Sequence, residues 1–145
     1  MENALTIHSD GGARGNPGPG ACAFIVEQNG RVVTKGSKYL GKVTNNFAEY
    51  SGVLLALDWL LNKSPFTNHH SPIIFLMDSE LVVRQLTGLY KVKDENLKKL
   101  FTEVKKLTTE ISSDIIFKNI PREQNKPADL LVNEELDNKA SGNFM

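Results

Sequence analysis

A single cysteine, Cys22, stands among 145 residues, so no intramolecular disulfide can form and no cysteine-based zinc site can be assembled. Long apolar stretches are missing too. Runs such as Val53 to Leu57 are far short of the ~20 residues that a membrane helix needs. The start, Met1-Glu2-Asn3-Ala4-Leu5, has neither the basic residues nor the apolar core of a secretory signal. The chain therefore reads as soluble and cytoplasmic, with no membrane association. It also lacks an excess of either charge: 17 Lys+Arg balance 17 Asp+Glu, a formal net charge of +0. That excludes a strongly basic nucleic-acid coat and an acidic disordered tail. A polyanionic partner would have to be drawn in by a local basic patch. Nor is a nucleophile evident. Ser9, Ser51 and Ser79 have no histidine partner in any sequence signature, and His69-His70 sit in a polar loop. His8 is expected to face away from Asp10. No serine or cysteine hydrolase is supported.

What is present is enough for one compact domain, read as residues 1–140 with a loose tail over 141–145. Leu5 to Ser9 reads as a strand stopped by Gly11-Gly12. Ala21 to Glu27 and Arg31 to Lys35 flank Asn29-Gly30, a strong hairpin signal because both turn residues accept positive φ. From Asn46 the spacing of Phe47, Tyr50, Leu54, Leu57 and Leu61 is helical. Ile73 to Met77 is a continuous apolar run, as in a strand buried on both faces. Ser79 to Leu86 suits a short helix, Leu97 to Ile111 an amphipathic one, and Ile115 to Ile120 a last strand. Pro127 opens a final helix. The order β-β-β-α-β-α-α-β-α predicts an α/β fold: a five-stranded mixed sheet, three strands antiparallel and then two parallel, flanked by helices. Ligands in such sheets gather at the carboxyl ends of the strands.

Four carboxylates fall at element junctions. Asp10 ends the first strand, Glu49 lies in the first turn of the long helix, Asp78 follows the buried strand, and Asp129 lies in the first turn of the last helix. Each has an ordinary structural explanation. Asn46 to Glu49 resembles a capping box, Asp78 can cap the next helix, Asp129 complements a helix dipole, and Asp10 suits a turn. Those explanations do not account for four such residues converging on one predicted edge. Clustered hard oxygen ligands repel one another unless divalent cations neutralise them, which points to a two-metal site holding Mg²⁺ or Mn²⁺.

The run Gly11 to Gly20 is not a dinucleotide loop, because it leads into a strand and carries prolines where that turn needs backbone donors. A backbone bare of side chains instead lets a polymer lie close to Asp10. Thr44-Asn45-Asn46 places consecutive amides before the carboxylate-bearing helix, suited to base edges and sugar hydroxyls, or to capping by one of them. Lys91, Lys93, Lys98 and Lys99 form the densest basic stretch, read either as a solvated face or as phosphate contacts.

Taken together and in order, Ser9-Asp10-Gly11-Gly12 with Gly15-Asn16-Pro17-Gly18, Thr44 to Glu49, Asp78-Ser79, and Pro121 to Asp129 resemble ribonuclease H of type 1, in its compact archaeal-type form. The likeness runs from Thr6 to about Asp137. It implies the ribonuclease H-like fold and an endonuclease cutting the RNA strand of RNA–DNA hybrids to 5′-phosphate and 3′-hydroxyl ends. It implies Asp10, Glu49, Asp78 and Asp129 as catalytic ligands of two Mg²⁺ ions, with Mn²⁺ as a substitute. Asp10 would bridge both ions. Asp129 would help hold the ion that activates water, and Glu49 and Asp78 the ion at the leaving 3′-oxygen. Asn16, Asn45 and Asn46 match positions that meet the minor groove and its 2′-hydroxyls, Thr44 a position near a DNA phosphate, and Lys91 and Lys93 add basic contacts. No obligate protein partner is evident, and a monomer is expected. The chain departs from the family pattern in three respects. No histidine stands in the loop before Asp129, leaving Arg122 or Glu123 to assist proton transfer or product release. Glu80 stands where a glutamine is common, which should weaken hybrid binding. No separate hybrid-binding domain or basic protrusion is evident, so binding should be salt-sensitive. Two other readings stay open: a non-catalytic hybrid-binding module, and a same-fold nuclease acting on double-stranded RNA or junctions.

Overall fold

Leu5 and Ile7 alternate with Thr6 and His8 along β1 (Leu5–Ala13), and the odd positions are fully buried while the even ones are half-buried. That period of two gives the central strand one apolar face and one polar face. The computed structural model describes residues 4–63 and 71–141. His69-His70 and residues 142–145 of the expected tail lie outside the described residues. β1 pairs antiparallel with β2 (Gly18–Gln28), which pairs antiparallel with β3 (Arg31–Val43). On its other side β1 pairs parallel with β4 (Ile73–Met77), and β4 pairs parallel with β5 (Ile115–Asn119). The sheet order is β3-β2-β1-β4-β5, the expected mixed sheet of three antiparallel and two parallel strands. The helices are α1 (Asn45–Asn62), α2 (Glu80–Leu86), α3 (Glu95–Thr109) and α4 (Lys126–Ser141), with a 3₁₀ turn over Arg122–Gln124. No helix among the described residues is long and apolar enough to cross a membrane.

The odd face of β1 and β4 carries the main core. Leu5, Ile7, Ile73, Phe75 and Met77 meet Tyr50, Val53, Leu57 and Leu60 of α1 and Leu97 and Val104 of α3. Each fully buried aliphatic or aromatic side chain contributes roughly 1.5–3 kcal/mol. The opposite face carries a thinner cluster, in which Ala21 and Ala23 of β2 meet Val132 and Leu136 of α4.

The Asn29-Gly30 turn forms as expected, with φ of 53° and 77° and Gln28 opposite Arg31. Two expectations fail. Gly11-Gly12 do not stop β1, which runs on to Ala13 opposite Gly20. A glycine there serves close approach rather than a turn: a Cβ on Gly11 would collide with the carbonyl of Ala48 in α1. β3 extends to Val43 instead of Lys35. It is an edge strand, largely exposed, so no core-facing period marks its second half, and Lys35, Lys38 and Lys42 guard the open edge.

The contact between α1 and β1 is repeated one turn along. A Cβ at Gly52 would lie 2.7 Å from the Asp10 carbonyl oxygen and 3.4 Å from that of Ala23. Gly52→Ala gains roughly 0.5–1 kcal/mol of helix propensity. It must also push two backbones apart, and such overpacking typically costs ~1–3 kcal/mol. The expected outcome is a net loss of about 1–2 kcal/mol in urea unfolding. An unchanged or raised midpoint would show that the helix does not rest on the strand there.

Candidate active site

The parallel register of β1 and β4 sets His8 opposite Leu76. Continued by two residues, it brings Asp10 level with Asp78, both at the carboxyl ends of neighbouring central strands. Glu49 comes from α1, where Gly11 lets the helix descend onto β1. The three side chains each present a carboxylate oxygen within 4.8 Å of the other two. Asp129, in the first turn of α4, lines the same cavity of about 520 Å³ without joining that tight triad.

Two ordinary explanations of these acids are removed. Thr44, not Asn46, caps α1, its hydroxyl accepting from the Phe47 N–H at 3.2 Å. Glu49 therefore lies beyond the first turn and is free of any capping box. Ser79, not Asp78, caps α2, accepting from the Val82 N–H at 3.3 Å. Neither carboxylate is needed to end a helix.

Their electrostatics show what the fold must oppose. Burial first, then the charge of Asp78, pushes the Asp10 carboxyl up to about 7, against the pull of the Gly11 N–H. Burial, then the charges of Asp10 and Asp78, holds Glu49 well above the usual carboxylate range. Glu49 Oε1 is buried with no hydrogen-bond partner. An orphaned buried oxygen among mutually repelling hard donors suits a divalent cation that takes oxygen ligands, so the residues present fit such an ion.

Polar side chains brace the surroundings. Asn45 Oδ1 accepts from the Ala13 N–H at 2.8 Å, and the Asn45 N–H donates to Asn16 Oδ1 at 3.0 Å. Of the two uses open to the amides, capping is not the one taken: Thr44 caps α1, and the Asn45 and Asn16 oxygens tie the β1–β2 turn to the start of α1. Asn46 is half-buried beside them. Arg14 lines the cavity and donates to Asp137 at 2.7 Å and to Asn133 Oδ1 at 3.3 Å. Arg122 lines it too, whereas Glu123, exposed on the same turn, is not part of its wall. Lys91 lines a different cavity with Tyr90 and Lys98, away from the acids, and Lys93 is exposed nearby. Glu80 is held by Arg84 at 2.8 Å.

One sequence expectation is wrong on parity. Residues two apart in a strand share a face, so His8 lies on the Asp10 side. Its Nδ1 meets Asn125 Oδ1 at 3.1 Å, and Asn125 Nδ2 donates to Ser9 O at 3.0 Å and Asp78 Oδ2 at 3.2 Å. Sequence reasoning singled out neither His8 nor Asn125 for the site, although Asn125 stands four residues before Asp129.

A family model described as reverse transcriptase-like matches residues 8–135. LC11-RNase H1, isolated from compost and solved in complex with an RNA/DNA hybrid, is 39% identical at a TM-score of 0.89, covering 94% of this chain and 99% of that one. The chain belongs to the ribonuclease H type 1 family. RNase H1 of Halobacterium salinarum has a TM-score of 0.84 over 93% of this chain and 98% of that one, at 32% identity. The bifunctional protein Rv2228c of Mycobacterium tuberculosis is 35% identical over 135 residues, covering 92% of this chain. The chain spans about a third of that relative's length, 35%.

The acid cluster has a measurable stability cost. Because folding raises the Asp10 carboxyl to about 7 from an ordinary 3.8, its ionisation works against the folded state as pH rises from about 4 through 7. With chelator present, Asp10→Asn should exceed the parent in stability at pH 8 by roughly 2–4 kcal/mol, the difference closing below pH 4. Denaturant titrations at both pH values measure it. Coincident curves at pH 8 would mean that the acids do not strain the fold.

Proposed function

We propose that this protein is an endonuclease that hydrolyses the RNA strand of RNA–DNA hybrids, leaving 5′-phosphate and 3′-hydroxyl ends. The observation that carries the proposal is the triad of Asp10, Glu49 and Asp78 within 4.8 Å, with an orphaned Glu49 oxygen, in a chain 39% identical to a ribonuclease H1 that was solved with an RNA/DNA hybrid. Asp10, Glu49, Asp78 and Asp129 would hold two Mg²⁺ ions, with Mn²⁺ able to replace them. When bound, such ions make water nucleophilic at neutral pH and offset charge developing at the scissile phosphate.

The chain's own groups then do the rest. Gly11 and Gly12 line the cavity without side chains, so a sugar–phosphate strand can lie against the backbone beside Asp10. Fixing the Asn16 and Asn45 oxygens on backbone N–H groups turns both Nδ2 groups outward as donors, and Asn46 adds a third amide. Such donors can read the 2′-hydroxyl that distinguishes RNA from DNA. Thr44 uses an oxygen lone pair for capping and keeps its hydroxyl proton for a phosphate of the DNA strand. Arg122, on the cavity wall, or Glu123, beside it on the turn, would assist proton transfer or product release where no loop histidine stands. Lys91 and Lys93 contact the duplex at a distance from the acids.

The test is incubation of the purified protein with RNA–DNA hybrid, double-stranded RNA and double-stranded DNA, each with Mg²⁺, Mn²⁺ or chelator. Cleavage of the RNA strand of the hybrid, needing metal and lost in Asp10→Asn, is expected. A hybrid that is shifted but never cut would instead mark a binding module. Replacing Asn45 and Asn46 together by alanine should lower hybrid cleavage about 10–100-fold through lost hydrogen bonds while leaving calorimetric Mn²⁺ affinity unchanged. Equal losses in both would count against a substrate-reading role.

A further inference from the structure

Asn125 is completely buried, and both ends of its carboxamide are accounted for. Two acceptors, the Ser9 carbonyl at 3.0 Å and Asp78 Oδ2 at 3.2 Å, require Nδ2 on their side. Oδ1 then faces His8 Nδ1 at 3.1 Å, and an acceptor there requires that nitrogen to carry a proton. The three bonds form a chain from the middle of β1, through the residue preceding α4, to the acid at the end of β4. Asn125 also accepts from the Asp129 N–H through its backbone carbonyl, at 3.1 Å, so the same residue steadies the fourth acid.

We infer that His8 is a positioning residue for the proposed active site: by donating from Nδ1 it fixes the Asn125 amide, which in turn sets the carboxylate plane of Asp78 against Asp10 and Glu49. The inference rests on the metal-binding reading of that cluster. A carboxylate that accepts one bond from a fixed donor cannot turn freely about Cβ–Cγ, and groups that orient metal ligands in this way typically account for about 10–100-fold in metal affinity. Remove the donor of His8, and Oδ1 of Asn125 is left buried without a partner. The amide must then move or recruit water, and Asp78 loses its fixed reference. His8 is not part of the cavity wall and reaches Asp78 through Asn125, while its other ring nitrogen, Nε2, lies 3.9 Å from Glu27 Oε1.

Two substitutions of nearly equal shape separate this role from simple packing. His8→Leu removes the donor. His8→Asn restores one, because Nδ2 of asparagine is bonded to Cγ as Nδ1 of histidine is. Calorimetric Mn²⁺ binding without substrate should weaken about 10–100-fold in His8→Leu and return to within about threefold of the parent in His8→Asn. At saturating Mn²⁺, hybrid cleavage by His8→Leu should lose kcat more than it changes KM. In the parent protein, ¹⁵N chemical shifts should show His8 as the Nδ1–H tautomer, a readout independent of any variant's folding. Asp78→Asn serves as the control. If it loses Mn²⁺ affinity while His8→Leu keeps it, or if the parent shows the Nε2–H tautomer, the positioning role is overturned and the metal reading stands. If Asp78→Asn itself binds Mn²⁺ unchanged, the metal reading fails and takes this inference with it.

Discussion

Three carboxylates are held within 4.8 Å of one another against their own repulsion, and the rest of the site depends on that confinement. Local interactions mostly oppose it: burial and like charge disfavour ionisation of Asp10 and Glu49, and the Gly11 N–H offsets them only in part. The force comes from elsewhere in the fold. Parallel pairing sets Asp10 and Asp78 level, and the core beneath the odd positions of β1 and β4 makes that register costly to change, because a slip of one residue would turn Leu5, Ile7, Ile73 and Phe75 outward. Gly11 and Gly52 remove the atoms that would keep α1 off β1, and Glu49 arrives with the helix. Apolar packing on one face thus keeps acids together at the edge of the other.

The two faces are not equally secured. α4 packs through a small cluster of Ala21, Ala23, Val132 and Leu136, much poorer in large side chains than the opposite face. Polar ties add to it: Arg14 to Asp137 and Asn133, Ser37 to Glu135 at 2.9 Å, and buried Asn125 to Ser9 and His8. Exposed ties contribute about 0–1 kcal/mol each, so the buried amide is the one that fixes where the helix begins. Asp129 inherits its position from that start. With that packing, hydrogen bonds place the first turn accurately only if they are complete, and at Asn125 they are.

How far the sequence was legible follows from which signals are redundant. Ile73–Met77 is a run of five apolar residues between Pro72 and Asp78, and the strand spans the same residues. α1 begins one residue before its reading because its apolar stripe fixes the body of a helix, not its end. The order of elements, the sheet and the convergence of the acids all derive from such repeated patterns. What failed rests on single residues with competing uses. Thr44 and Asn46, and Asp78 and Ser79, are equally good caps by type, and only the chain path selects between them. Gly11-Gly12 looks like a turn in one dimension and is a contact in three. β3 lacks a buried face and so lacks a pattern. His8 shares the face of Asp10 because the strand period is two, so its side follows from parity alone. Asn125 carries no local signal, since its partners Ser9 and Asp78 are 116 and 47 residues away in the chain.

The formal net charge of +0 leaves open how a polyanion would approach an acidic cavity. Distant charge is of little use at a Debye length of ~8 Å, so compensation must be local. Arg122 stands on the cavity wall, Arg14 beside it is paired with Asp137, and the Glu80 anion that should repel a substrate is already matched by Arg84, whose guanidinium lies 5.4 Å from the Tyr90 ring centre. These cations offset the rim, not the centre. Near neutral pH the centre can lose charge by keeping a proton on Asp10, or by taking up divalent cations in its place. Either change makes a phosphate less unwelcome, but only cations add attraction. By reciprocity of linked binding, a phosphate strand that favours cation uptake must be favoured by it to the same degree. On the proposed reading, ions and hybrid are therefore thermodynamically coupled through the same confined acids, so the repulsion that burdens the empty fold is also what makes substrate binding depend on metal.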